Sequence, residues 1–461
     1  MNIKSFIFKI ISYILAFILI PLIIGFSGLL ISFSDLMHGN PEYFPLDGIN
    51  SPDYDPNKQT AVILVSNGGT ETTDLLVPYE IFSASNKFNV YTVAPKHQIS
   101  ALTNGGGIDI IPDFSLAEFE KTIGQNPDLI VIPAVHNSQD AELIKWINQH
   151  NDEKTTILSI CEGVRLLAAT GLLENRQATT HWLALGSLKK QYPNTNWVKD
   201  VKYLEDGNVV TSPGVITGAI NGSLHTLEKL SGKDVAREVA QNLNYPFPDS
   251  ATFESPSLKF KDIALLLTGA YGWHKQNIGV FLDDGIGEID LTAVLDTYPR
   301  SLAARTIPIT SERKIINSQY GLKLVPRFDF TTAARLDRIL VLDNQSDLDL
   351  ETHLNLESHL KLENWAKNTY NLESEYLSDF SKDSSKFVFD NVLQDLAQQE
   401  NKLLAEIVAK TVEYPLDSIN LEGKNFPISL ILIKPLSIGL LSLAVIWAIS
   451  RFRRQTTVMG E

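Results

Sequence analysis

The chain has a single cysteine, Cys161, and the chemistry the sequence can do is concentrated around it. The stretch Thr155 to Gly163, TTILSICEG, runs apolar and β-branched residues into Ser159-Ile160-Cys161-Glu162-Gly163, and Val164 to Thr170 continues with helical spacing. This reads as a strand, a sharp turn and a helix. Small residues two before and two after the cysteine suit a nucleophile elbow, because the strained turn brings those two positions close together. A cysteine on the first turn of a helix faces free backbone N–H groups and the positive end of the helix dipole, so the sequence predicts a lowered thiol pKa. The alternative is a small buried hydrophobe of no reactivity. The elbow context favours the nucleophile.

The elements that must hold this turn alternate in type. Ala61 to Val65, Phe88 to Ala94 and Leu129 to Pro133 read as strands, and Thr73 to Ser85 and Ser138 to Gln149 as helices. After the elbow come a strand over Gln177 to His181, a hairpin of Val201 to Leu204 with Asn208 to Ser212 turning at Asp206-Gly207, and helices over Gly214 to Leu230 and Asp234 to Leu243. The β-α-β order predicts an α/β fold, a parallel sheet with helices on both faces. This domain is expected over 58–248, with a linker and packing helix over 249–275. Beyond it the opening pattern recurs. Ile278 to Leu282 followed by Ile289-Asp290-Leu291 corresponds to Ala61 to Val65 followed by Thr73-Asp74-Leu75, and Gln319 to Phe328 corresponds to Asn104 to Phe114. Further strands are expected over Ala303 to Ile309 and Ile339 to Leu342. The sequence predicts a degenerate α/β half-copy over 276–345, without an elbow. A helical region over 346–425 follows, with long helical stretches at Leu350 to Tyr370 and Val388 to Val412.

Three blocks carry a resemblance: Ser159 to Trp182, SICEGVRLLAATGLLENRQATTHW; Asp74 to Phe82, DLLVPYEIF; and Thr211 to Val215, TSPGV. Together they resemble the ThiJ/PfpI family, also called the DJ-one/PfpI family, of the class I glutamine-amidotransferase-like superfamily. The resemblance implies a flavodoxin-like sheet with the cysteine at its centre and an acidic residue beside the sulfur, the position Asp74 holds. Asp74 would share a proton with the thiol or act as general acid or base; its other reading is a helix N-cap. His181 stands where many members carry a histidine near the site, to tune Cys161 or bind substrate, or else it is a strand-end histidine bonded to backbone. An oxyanion hole would need the backbone N–H of Glu162 and a second donor, for which Val135 is the candidate. Peptidase-like members carry histidine directly after the cysteine, and isonitrile-hydratase-like members usually threonine. Glu162 departs from both, which argues against cysteine-protease activity.

Composition narrows the partners. Thirty-nine Lys and Arg against fifty-four Asp and Glu give a net charge of −15, which argues against a nucleic-acid surface. No histidine spacing suggests a metal site, Gly105-Gly106-Gly107 lacks the Lys-Ser/Thr of a phosphate loop, and no cofactor is expected. The ends are apolar. Phe6 to Phe33 and Ile428 to Ser450 each exceed the roughly 20 residues that cross a bilayer, with Lys4 and Lys9 near the first and Arg451, Arg453 and Arg454 after the second. The expectation is an N-terminal transmembrane anchor over 1–34, a linker over 35–57 and a C-terminal span with its basic stop over 426–454. The positive-inside rule puts both termini in the cytoplasm and the main domains outside a bacterial inner membrane. Two functions remain open: an enzyme in which Cys161 attacks a small electrophile, by hydratase, hydrolase or glyoxalase-like chemistry, and a module that binds a ligand or senses oxidation, as in the ligand domains of AraC-type regulators. The repeat leaves open an intrachain pseudo-dimer or a homodimer.

Overall fold

A computed structural model describes residues 3–37, 46, 49, 52–103, 106–248, 250–271, 275–342, 356–380, 386–416, 419–425 and 432–458. Most of the linker expected before residue 52, Gly105, the start of the helical region at 346–355, and Ile428 of the second apolar stretch lie outside these residues.

The first unit contains β1 (Gln59–Leu64), β2 (Phe88–Ala94), β3 (Ile108–Ile111), β4 (Phe114–Ser115), β5 (Leu129–Ile132), β6 (Thr156–Ile160), β7 (Leu204–Asp206) and β8 (Val209–Ser212). All but β3 form one sheet in the order β7-β8-β6-β5-β1-β2-β4, parallel except for the β7-β8 hairpin. Its central strands are buried on both faces, as the run Ala61 to Leu64 shows; their continuous apolar character follows from helices covering each side. The fold is thus the expected flavodoxin-like α/β sheet. The strand expected over Gln177 to His181 is only Gln177–Ala178, and a helix from Trp182 to Gln191 follows it. Thr179 and Thr180 turn inward instead: the Thr179 N–H donates to the Thr211 hydroxyl and the Thr180 hydroxyl to the Cys161 carbonyl.

The second unit contains β9 (Gln276–Phe281), β10 (Ala304–Thr310), β11 (Lys323–Pro326), β12 (Phe328–Asp329), β13 (Arg338–Val341) and β14 (Ser374–Tyr376). Its sheet order, β12-β10-β9-β13-β14, matches β4-β2-β1-β5-β6 strand for strand, with every pairing parallel. The correspondence continues past the stretch where the sequence repeat is legible. In the first unit the helices are α1 (Thr72–Ala84), α2 (Val215–Ser231) and α3 (Lys233–Asn242); in the second they are α4 (Glu288–Arg300), α5 (Val388–Gln399) and α6 (Lys402–Thr411). α4 packs on α5 and α5 on α6, as α1 packs on α2 and α2 on α3. The single long helix expected over Val388 to Val412 is therefore two, broken where the Asn401 side chain caps α6 by accepting from the Leu404 N–H.

The two units meet about a local two-fold. β3 and β11 pair antiparallel in a register centred on Ile110 opposite Leu324, with Asp109 opposite Val325 and Ile111 opposite Lys323. Arg327 grips buried Asp109 through two hydrogen bonds of 2.9 and 2.5 Å, and Lys323 reaches buried Asp113 at 3.4 Å. In the repeat Asp109 aligns with Lys323 and Asp113 with Arg327, so these are one contact used twice with the charges exchanged. The helices do the same: Glu80 on α1 accepts from the Ile289 N–H at 2.6 Å, and Asp296 on α4 accepts from the Thr73 hydroxyl at 2.9 Å. One continuous apolar core spans both units.

At the ends, helices run over Ile3–Met37 and Ile433–Val458, pack against each other, and expose apolar side chains such as Leu22, Ile23, Leu440 and Leu441. Both are long and apolar enough to cross a membrane. The second is described from Ile433, with Lys434 in its first turn.

Candidate active site

β6 ends at Ile160, and the chain turns through Cys161–Gly163 into a helix over Val164–Ala169. Cys161 takes a left-handed φ of 56°, a conformation that costs a non-glycine residue on the order of 1–2 kcal/mol. Two glycines make room for it. A Cβ on Gly163 would collide with the backbone of Ile132 and Pro133, and a Cβ on Gly214, at φ 91°, would collide with Cys161 itself. The chain thus makes a tight strand–turn–helix at Cys161, and the small residue at Gly163 is obligatory.

The charge environment differs from the expectation. The Glu162 N–H donates to the sulfur, which lowers the thiol pKa, but Cys161 is only 8% exposed and burial outweighs that bond. Burial first, then the nearby carboxylates of Asp74, Glu71 and Glu162, push the thiol well above its ordinary value. One turn of helix dipole does not overcome desolvation of a thiolate. The side chain of Glu162 turns aside to Arg165, 2.5 Å away, which in turn donates to Ser187.

Asp74 lies beside the thiol and is fully buried. It is not the cap of α1: Glu71 takes that role, accepting from the Asp74 N–H at 2.7 Å. Asp74 Oδ2 accepts from the Ala134 N–H at 3.1 Å, while Oδ1 has no partner among the described residues. Burial, then Glu71, raises its pKa well above the usual carboxylate value, which favours its protonated form. The Ala134 to His136 turn is fastened to the chain before α1, with the Glu71 N–H donating to Ala134 and the His136 N–H to Gly69. This bridge leaves the Val135 N–H pointing away from Thr70.

His181 sits at the N-cap of the Trp182–Gln191 helix rather than at a strand end. It is buried, its ring donates to the Thr411 carbonyl, and burial lowers its pKa to about 3. The imidazole is neutral and its Nε2 has no partner among the described residues.

Three residues that local sequence patterns do not mark also border the site. Glu71 faces Arg300 at 3.7 Å, and Arg300 at the end of α4 is clamped to Asp296 at 2.6 Å. Its positive charge favours a thiolate at Cys161 and disfavours a charged His181. Glu413, just past α6, accepts a long 3.5 Å contact from the Trp182 N–H. Arg300 and Glu413 come from the second unit; only the two-fold packing brings them here, and no spacing in the first unit could have shown them.

A sequence model of the DJ-1/PfpI family matches residues 59–220, the span that holds the elbow, Asp74 and His181. This chain carries a DJ-1/PfpI family domain. Isonitrile hydratase from Pseudomonas putida is 26% identical over 198 residues, 40% of this chain and 79% of that protein. The HTH-type transcriptional regulator CdhR from Pseudomonas aeruginosa is 29% identical over 99 residues, 22% of this chain and 29% of the regulator. The chain thus spans less than a third of that regulator's length. Among solved structures, Drosophila melanogaster DJ-1beta aligns over its full length and 41% of this chain, at 22% identity and a TM-score of 0.36. Within the DJ-1/PfpI domain, Cys161 and Asp74 lie together at the carboxyl ends of the central strands, the usual place for ligands in an open parallel sheet.

Proposed function

We propose that the DJ-1/PfpI domain uses Cys161 as a nucleophile on a small electrophilic molecule, in hydratase, hydrolase or glyoxalase-like chemistry. The observation that carries this reading is the pairing of a strained, left-handed cysteine with a buried carboxyl group, one oxygen of which has no partner among the described residues. Strain and perturbed acidity together mark functional sites more often than structural ones. Burial favours the protonated form of both groups, so a free thiolate is disfavoured in the resting site. Attack then amounts to adding S–H across an unsaturated carbon. The sulfur–carbon bond forms, and the thiol proton passes through the Asp74 carboxyl group to the heteroatom or carbanion that develops. Water subsequently displaces sulfur and returns the proton; with an amide the amine first leaves with the proton Asp74 supplies, and with an α-oxoaldehyde a proton first moves from the thiohemiacetal carbon to the neighbouring carbon, giving the thioester that water cleaves. The Glu162 N–H and, as a second donor, the Val135 N–H would stabilise developing negative charge, and neutral His181 would accept from the substrate or water.

A panel of isonitriles, amides and α-oxoaldehydes tests this. At least one is turned over by the wild-type protein, and both Cys161→Ala and Asp74→Asn lose that turnover; activity surviving in Cys161→Ala refutes the assignment.

A second reading has its own support. The raised thiol pKa and the low exposure of Cys161 suit a site that binds without turning over, and the regulator CdhR matches part of this domain. Here the site binds a small ligand, or Cys161 reports oxidation. The two terminal helices would anchor either activity at a bilayer, with both termini cytoplasmic and the main domains extracytoplasmic.

A further inference from the structure

The last turn of α6 and the two residues after it do more than close a helix. The Thr411 carbonyl accepts from the His181 ring, the Val412 carbonyl from the Ile216 N–H in the first turn of α2, and Glu413 Oε1 from the Trp182 N–H. Three successive residues of the second unit are thus seated on the segments that flank the elbow. Ile216 follows Gly214 by two positions, and Gly214 touches Cys161.

Glu413 is an unexpected residue in its position. It adopts φ 54°, the left-handed region that glycine and asparagine tolerate and glutamate does not favour. The first unit has the same helix ending. Tyr245 N–H donates to Ala240 and Tyr414 N–H to Ala409, and Asn244, at φ 52°, stands where Glu413 stands. The first unit uses the residue suited to this turn; the second accepts a strained glutamate. That glutamate is also fully buried, its Oε2 has no partner among the described residues, and burial raises its pKa to about 8. Trp182 Nε1 and His181 Nε2, one residue apart on the segment Glu413 touches, are likewise buried without partners. A well-packed interior satisfies such groups, and three at one seam next to the elbow point to a molecule that would satisfy them.

We infer that Glu413, supplied by the second unit, is a substrate-contacting residue of the Cys161 site. Its carboxyl O–H donates, with Trp182 Nε1–H, to a polar acceptor atom beside the electrophilic carbon, and His181 Nε2 accepts from the same molecule. The substrate class is a small neutral molecule with a carbonyl, amide or similarly polar acceptor. The degenerate unit therefore completes the site even though it lacks a cysteine. This rests on the nucleophile reading above.

Because Cys161 is the only cysteine, alkylation of the full-length protein in detergent reports that residue alone, and iodoacetamide offers an amide acceptor next to an electrophilic carbon. Glu413→Asn should melt no lower than wild type, since asparagine fits the left-handed turn, yet its Cys161 should react with iodoacetamide about fivefold more slowly. Glu413→Gln, whose amide still donates, should keep the larger part of the rate. An unchanged or faster rate in Glu413→Asn overturns the inference, and so does a lowered melting temperature, which would make Glu413 structural. Failure of the nucleophile reading shows separately, as a wild-type thiol no more reactive than free cysteine after correction for its thiolate fraction.

Discussion

Glu413→Gln gives a quantitative test of the buried seam between the units. In the unfolded chain a glutamate titrates near about 4.3, while burial holds Glu413 up to about 8 in the folded protein. Below the unfolded pKa the carboxyl group is neutral in both states, and its contribution to stability is fully present. As pH rises between the two values, the unfolded chain gains a charge that the folded protein excludes. Stability then falls by up to about 1.4 kcal/mol per pH unit and levels off above the folded value. Between about pH 5 and about pH 8 the loss comes to ~3.5 kcal/mol. Glutamine keeps the shape and does not titrate. Thermal unfolding of the full-length protein in detergent, followed for both proteins across this range, should therefore show melting curves that diverge as pH rises, with the glutamine protein gaining by several degrees. Parallel curves would refute the burial of a protonated carboxyl group at this seam.

Other perturbations follow from the same geometry. Arg327→Ala leaves Asp109 buried without its bidentate partner and should cost about 3–5 kcal/mol in chemical denaturation; the double exchange Asp109→Arg with Arg327→Asp should recover more than half, and no recovery would mean the two side chains do not form one pair. Gly214→Ala drives a methyl group into Cys161 from a left-handed backbone and should destabilise by more than about 2 kcal/mol, against a small change for Gly186→Ala, where a Cβ meets nothing. A homodimer built through the first unit's β3 face would oppose Asp109 and Asp113 of two chains, so light scattering in detergent should find a monomer. An obligate dimer would show that the pairing is made between chains. Fusion of alkaline phosphatase to the C-terminus should be inactive and of green fluorescent protein fluorescent, as cytoplasmic termini require; the reverse pattern would contradict the orientation.

The parts of this molecule that the sequence announces are those set by local pattern. The elbow, the parallel strands around it and the repeat of the first strand and helix are written in continuous apolar runs, small residues and a recurring Asp-Leu. The pairing of Asp74 with Cys161 is legible only through the family resemblance, because their closeness depends on β1 and β6 lying on either side of β5. What sequence reasoning misses is tertiary. The lowered thiol pKa expected from a helix terminus gives way to desolvation, which depends on how much is packed over the sulfur. Thr179 and Thr180 look like a β-branched strand but bond inward to Thr211 and Cys161. Ser374 to Tyr376 would not be read as a strand alone; β13 recruits it in the place that β6 holds in the first unit. Arg300 and Glu413 reach the site only because the second unit is docked through exchanged charges, and neither lies within a motif.

The most direct test of the central claim is intact-protein mass spectrometry of the protein quenched during reaction with a substrate it turns over. The account predicts a mass increment equal to the substrate-derived group, mapped to the peptide that carries Cys161 and absent from Cys161→Ser. Turnover at an undiminished rate in Cys161→Ser, with no adduct trapped on the wild-type peptide, would contradict it.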